Sequence, residues 1–115
     1  KTDLNYYGFN RLDNWIFENK IFPSKNQIID IEKKMFKDLQ NKRKINTKLR
    51  TISNSYDVNF IERENIFCKV NDNVCEVLTP NGYKIYYDYA HLTIEGAKYF
   101  SNVIQNNKKF LEYLD

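Results

Sequence analysis

The order of periodic segments predicts an α/β fold: a long helix, a strand, a short hairpin and a last helix, the succession expected along one flank of a three-layer α/β sandwich. Three observations carry this reading. An apolar stripe at helical spacing runs from Ile28 to Ile52. Asn81-Gly82, a strong hairpin-turn signal, lies between two short runs with strand character. Ile94, Ala97, Phe100, Val103 and Ile104 recur at helical spacing just after a threonine suited to cap a helix.

Taken in order, residues 1–22 hold Tyr6, Tyr7, Phe9, Trp15, Phe17 and Phe22 with no clean period. They read as a loop or short helix packed on other sequence. Ser24 with Gln27 three residues on is a capping-box signature. From it Ile28, Ile31, Met35, Leu39, Ile45, Leu49 and Ile52 predict a helix to about residue 54, with Asn41 and Asn46 as places for a break. The stripe reads as the core-facing side of a layer helix rather than a partner-binding seam. Asn54-Ser55 stops it, residues 57–62 alternate as a strand, and residues 63–75 read as a polar loop around Cys68 and Cys75. Residues 76–78 and 83–87 predict a hairpin about Thr79-Pro80-Asn81-Gly82. Thr93 caps a final helix from about 94 to 107, with Glu95 near the positive end of its dipole. Gly96 falls inside the first turn, where glycine costs stability and marks close backbone approach. Phe110, Leu111 and Leu114 dock the tail.

At 115 residues the chain is one small domain or a piece of one. A net charge of +3 is mild, and its densest basic run, Lys42-Arg43-Lys44 with Lys48 and Arg50, lies in a helical segment. Nucleic-acid binding would call for a larger excess with aromatic or motif support, so a solvated helix face is the better reading and no nucleic acid is expected. No stretch reaches the roughly twenty apolar residues that span a membrane, and no signal peptide is visible. The chain begins at Lys1 without a methionine and reads as a processed or excised fragment. Cys68 and Cys75 lack the C-x-x-C spacing of zinc or redox sites, and with one histidine a zinc site would need carboxylates. Two free thiols and one local disulfide both remain open.

The chemistry concentrates in Asp88-Tyr89-Ala90-His91-Leu92-Thr93-Ile94-Glu95-Gly96-Ala97. His91 is the single histidine, and histidine titrates near neutrality, which makes it the default general base. A carboxylate on Nδ1 fixes the tautomer and stabilises the imidazolium that forms when the other nitrogen takes a proton. Both residues fall between a strand end and a helix start, where open α/β folds place their chemistry. Taken alone, an Asp-x-x-His pair is more often a surface contact. The strand before it and the capped helix after it shift that balance.

This segment resembles the last block of the SGNH (GDSL-type) hydrolases, D-x-x-H-L-[ST]-x-x-G-[AS]. It is most similar to the SGNH domain fused to the membrane-bound acyltransferase-3 family, which modifies cell-surface polysaccharides. The order of a helix, a strand at Val58-Asn-Phe-Ile-Glu, two cysteines, a hairpin and the motif is also that of the subfamily, so the resemblance covers residues 45–105. It implies the C-terminal portion of a three-layer α/β/α, flavodoxin-like sandwich. It also implies a serine esterase or O-acyltransferase acting on acyl, chiefly acetyl, esters of sugars, with His91 as base and Asp88 as its orienter. No metal or organic cofactor is implied. The implied partners are an acylated sugar or polysaccharide and a membrane acyltransferase domain in the full-length protein. The implied location is extracytoplasmic, where disulfides persist, and this favours a Cys68–Cys75 bond.

The family's serine lies in an N-terminal G-D-S block that this chain does not contain. Ser24, Ser53, Ser55 and Ser101 sit in predicted helices or caps, and none is nominated. Gly8-Phe9-Asn10 resembles the G-x-N of the oxyanion block, but Arg11 stands in place of the usual Asp, and the assigned site stays His91 and Asp88. The alternative is a non-catalytic carbohydrate-binding or interaction domain on the same fold, with Trp15 and Tyr86 as candidate stacking residues. Asp88 and His91 as metal ligands is weaker, because no second histidine or carboxylate cluster accompanies them.

Overall fold

Capping side chains decide where the helices begin. In the computed structural model, which describes residues 10–41 and 43–113, Asn10 opens α1 (Arg11–Asn19) by accepting from the Asp13 backbone N–H. The aromatic-rich start is therefore helical from Arg11, while Tyr6, Tyr7 and Phe9 lie outside the described residues. Ser24 and Gln27 form the reciprocal capping box that starts α2 (Lys25–Gln40). The long helix breaks at Asn41 and resumes as α3 (Arg43–Ser55). Asp57, at φ 53°, ends it in the left-handed conformation, and the Val58 N–H bonds back to the Ser53 carbonyl at 2.9 Å.

Two expectations fail between α3 and the hairpin. Residues 57–62 run without a ladder, because alternation gives a strand its faces but a ladder needs a second strand within reach. The polar loop expected over residues 63–75 is instead ordered: α4 (Arg63–Phe67), β1 (Cys68–Lys69), a 3₁₀ turn (Val70–Asp72) and β2 (Val74–Cys75). β1 and β2 pair antiparallel with Cys68 opposite Cys75, and the two are joined by a disulfide. Phe67 packs on Phe100 with ring centroids 4.2 Å apart, a long-range contact that local polarity does not reveal.

The expected hairpin forms about Pro80-Asn81-Gly82. The Thr79 carbonyl accepts from the Gly82 N–H at 2.8 Å, and Gly82 takes φ 83°, where a side chain would be strained. Leu78 opposes Lys84, then Tyr86 opposes Leu92, so residues 77–79, 83–87 and 91–93 make a narrow ribbon of single ladder contacts rather than a regular sheet. The chain ends in α5 (Ile94–Gln105) and α6 (Lys108–Glu112). The tail residue Leu114 lies outside the described residues.

Two buried clusters hold these elements. Leu12, Ile31 and Val77 join α1, α2 and the hairpin, with Trp15 packed against them. Ile85, Tyr86 and Phe100 join the ribbon to α5, with Phe67 and Leu92 at their edge. Met35 touches both. The apolar stripe thus divides: Ile31 is buried, while Ile45, Leu49 and Ile52 on α3 stay exposed, so α3 does not act as the core-facing layer helix that its pattern predicts. The described residues give α/β content with a single two-stranded antiparallel sheet, and the stacked layers of a sandwich are not among them.

Candidate acid–base site before the last helix

The turn at residues 88–91 is built by one carboxylate. Asp88 Oδ1 accepts from the backbone N–H groups of Ala90 at 2.8 Å and His91 at 2.7 Å. Its other oxygen, Oδ2, lies 2.8 Å from His91 Nδ1. The short polar side chain that makes this local turn also aims the imidazole. The Tyr87 N–H closes the turn on the His91 carbonyl at 2.8 Å, so both ends are pinned by the ribbon. Donation from Ala90 first, then from the His91 ring and the His91 N–H, holds the Asp88 carboxyl down at about 2.

With Asp88 accepting at Nδ1, the neutral imidazole carries its proton there and Nε2 holds the lone pair. The His91 side chain is 76% exposed, that of Asp88 28%, so the imidazole faces outward while the carboxylate sits against the chain. No hydrogen bond among the described residues engages Nε2.

Downstream, each remaining motif residue fastens α5 to the ribbon. Thr93 Oγ1 caps the helix by accepting from the Gly96 N–H at 3.0 Å and donates to the Lys84 carbonyl. The Thr93 N–H bonds the Ile85 carbonyl at 2.9 Å. Gly96 lies so close to the same strand that a Cβ would fall 2.2 Å from the Ile85 oxygen. The close approach predicted from its position is real, and it sets the distance between helix and ribbon.

Upstream, α1 buttresses the ribbon. Lys84 pairs with Asp13 at 2.9 Å, and buried Asn10 donates from Nδ2 to the Tyr86 carbonyl at 3.0 Å and to Asp13 at 2.8 Å. The amide that a G-x-N block would offer to an oxyanion is here spent on backbone and carboxylate. Gly8 and Phe9 lie outside the described residues. Of the serines, Ser24 caps α2 and Ser55 bonds the Thr51 carbonyl, and no serine among the described residues bonds His91. Tyr86 is buried in the second cluster, and Trp15 is half-buried against the first.

Sequence reasoning missed two groups. Glu32 accepts from the Val77 N–H at 3.1 Å, and burial, with Glu76 nearby, raises its pKa. Glu76 in turn takes Lys69 at 2.7 Å and the Tyr99 hydroxyl, whose pKa rises through burial and that bond. The second is Glu64, buried under Gln40 and Arg43. Glu64 carried no signal, since it sits in the polar run Glu62-Arg63-Glu64-Asn65 and its donors Gln40 and Arg43 lie more than twenty residues away. Glu32 carried none either, because its partners lie far along the chain. Among the described residues, no group of three or more His, Cys, Asp or Glu could hold a metal ion. Nor is any helix there long and apolar enough to cross a membrane.

A histidine held at Nδ1 by a carboxylate, with Nε2 open on a strand-to-helix turn, has the form of the base-and-orienter half of a hydrolase site. The family model of the SGNH domain fused to AT3 domains matches residues 14–106, and the chain belongs to that family. It is thus an SGNH-type domain related to hydrolases and acyltransferases. No curated protein and no solved structure matches it.

Proposed function

We propose that the chain supplies the base half of an SGNH-type serine esterase or O-acyltransferase site that acts on acyl esters, chiefly acetyl, of cell-surface polysaccharide. One observation carries the reading: the 2.8 Å contact between Asp88 Oδ2 and His91 Nδ1, with Nε2 open to solvent. His91 Nε2 takes the hydroxyl proton of a serine outside these residues as its oxygen attacks the ester carbonyl. The imidazolium returns that proton to the departing alkoxide. A water or acceptor hydroxyl then gives its proton to Nε2 as its oxygen attacks the acyl-serine, and the imidazolium returns that proton to the departing serine oxygen, which frees the acid or the new ester. Asp88 stays ionised throughout and holds the ring. The complete fold is the three-layer α/β/α sandwich, in which the exposed face of α3 would be covered by further layers. Family membership supports a domain fused to a membrane acyltransferase and an extracytoplasmic setting, and the Cys68–Cys75 disulfide fits such a setting.

The test is turnover of acetylated sugar by full-length protein. His91→Ala costs about 10²–10⁴-fold in kcat, the usual share of a general base. Asp88→Asn keeps the fold and costs less. The acid limb of its pH–rate profile moves down, because losing the anion disfavours imidazolium. Folded variants that both keep wild-type turnover would refute the assignment. Absence of turnover in the parent protein would favour the alternative, a carbohydrate-binding or interaction domain without catalysis.

A further inference from the structure

A cavity of about 320 Å³ opens beside the Asp88–His91 turn, with Tyr89 and Ala90 in one wall. Those are the two residues between the aspartate and the histidine, and the Ala90 N–H is itself bonded to Asp88. Whatever fills the cavity therefore rests on the turn that carries the candidate base. Its size falls within the range of about 300–1,000 Å³ typical of small-molecule sites.

The lining is chemically specific. Glu64 is 9% exposed, and both of its ligating donors, Gln40 Nε2 at 3.3 Å and Arg43 at 3.0 Å, reach the same oxygen, Oε1. Oε2 carries no hydrogen bond among the described residues, although an ionised carboxylate accepts at both oxygens. Asn46 adds an amide to the lining, and Phe67, Tyr86 and Tyr89 supply aromatic surface, with Tyr89 70% exposed. Arg43 offsets the Glu64 charge, so the site asks for a neutral ligand that donates hydroxyl hydrogens and presents an apolar face to the rings. Anions are disfavoured by the carboxylate, and a plain hydrocarbon would leave Oε2 desolvated without a donor.

We infer that this cavity binds the sugar ring of the acyl ester or acceptor. A ring hydroxyl donates to Glu64 Oε2, and one C–H face lies against Tyr89. The assignment deepens the esterase or acyltransferase reading and rests on it for the word acceptor, while sugar binding itself does not. Glu64 and Tyr89 are then specificity residues of the site, reached through the turn rather than through the reacting atoms.

The measurement is amide NMR of the full chain titrated with the methyl glycosides of glucose, galactose, mannose and N-acetylglucosamine. At least one of them should give saturable shifts centred on residues 64, 67, 89 and 90. Glu64→Gln, which keeps shape but removes the anion, weakens binding about tenfold or more, as loss of a hydrogen bond to a charged group does. Tyr89→Ala weakens it similarly, with an unchanged urea midpoint because the residue is exposed, which covers the case of a poorly folded Glu64 variant. No saturable shift with any of the four sugars, or equal affinity in both variants, overturns the inference. Sugar-ester turnover by full-length protein without binding here sinks the cavity and leaves the catalytic reading standing. Binding without turnover does the reverse.

Discussion

Gly96→Ala puts a methyl group into the tightest contact near the site. The added Cβ falls 2.2 Å from the Ile85 carbonyl oxygen, 2.9 Å from its carbon and 3.0 Å from the Ile85 Cα. Favourable carbon–oxygen contacts sit at about 3.3–3.6 Å, so the first distance is short by about 1 Å. Every clashing atom is backbone, and no side chain can rotate away. The start of α5 must therefore lift from the ribbon, which stretches the bond from the Thr93 N–H to Ile85 and the Thr93 contacts to the Lys84 and Ile85 carbonyls. Overpacking costs about 1–3 kcal/mol or more and each strained hydrogen bond about 1 kcal/mol, against a helix-propensity gain of about 1 kcal/mol for alanine. The net expectation is a loss of about 2–4 kcal/mol, read in urea unfolding followed by circular dichroism as a midpoint lower by about 1–2 M. Ala97→Gly, at the exposed neighbouring position, is the control and costs only the propensity difference of about 1 kcal/mol. A midpoint for Gly96→Ala equal to or above the parent would mean that α5 does not rest on Ile85, and the account of how the turn is held would fail with it.

Unreduced protein should weigh two hydrogens less than the free-thiol mass. Reduction should cost roughly 2.5 kcal/mol of stability, the chain-entropy value for a loop closed by cysteines seven residues apart. Two thiols that alkylate without reductant would contradict the bond. The Asp88 carboxyl should titrate by carbon NMR near 2 rather than at its ordinary 3.8. Since the folded value is the lower one, its turn contributes stability that is present above about pH 4 and is lost as pH falls toward 2. A midpoint at the ordinary value would show that the turn is not formed. Glu32→Gln keeps an acceptor for the Val77 N–H and removes a half-buried charge beside Glu76, so stability at neutral pH should hold or rise. The raised folded pKa has the matching sign, with stability falling as pH rises past the unfolded value. Glu32→Leu strands that N–H and should cost about 1–3 kcal/mol. Equal losses in the two variants would place the role of Glu32 elsewhere.

Local chemistry was legible wherever the partners are neighbours in sequence. The Ser24 capping box, the Asn81-Gly82 turn, the Thr93 cap and the Asp88–His91 contact each involve residues three or fewer apart, so backbone geometry alone brings them together. Gly96 was legible as a close approach, though not as an approach to Ile85, because that partner is chosen by how α5 folds back. Residues 63–75 were misread because their order comes from Phe67 reaching Phe100 and from the disulfide, both invisible to local polarity.

The sequence by itself determined most of the helices and their caps, the hairpin turn, and a histidine three residues from a carboxylate just before a capped helix, since each follows from spacing and dihedral preference over a few residues. Tertiary structure alone decided that Asn10 serves the Tyr86 carbonyl, that Glu32 meets Val77, and that Glu64 lines a cavity behind Tyr89. It also decided which half of the long apolar stripe is covered: Ile31 finds Leu12 and Val77, whereas Ile45, Leu49 and Ile52 find no cover among the described residues. The reason is physical. An amphipathic period specifies that a face is apolar, but burial is a property of two surfaces, and only the folded chain says whether the second one is there.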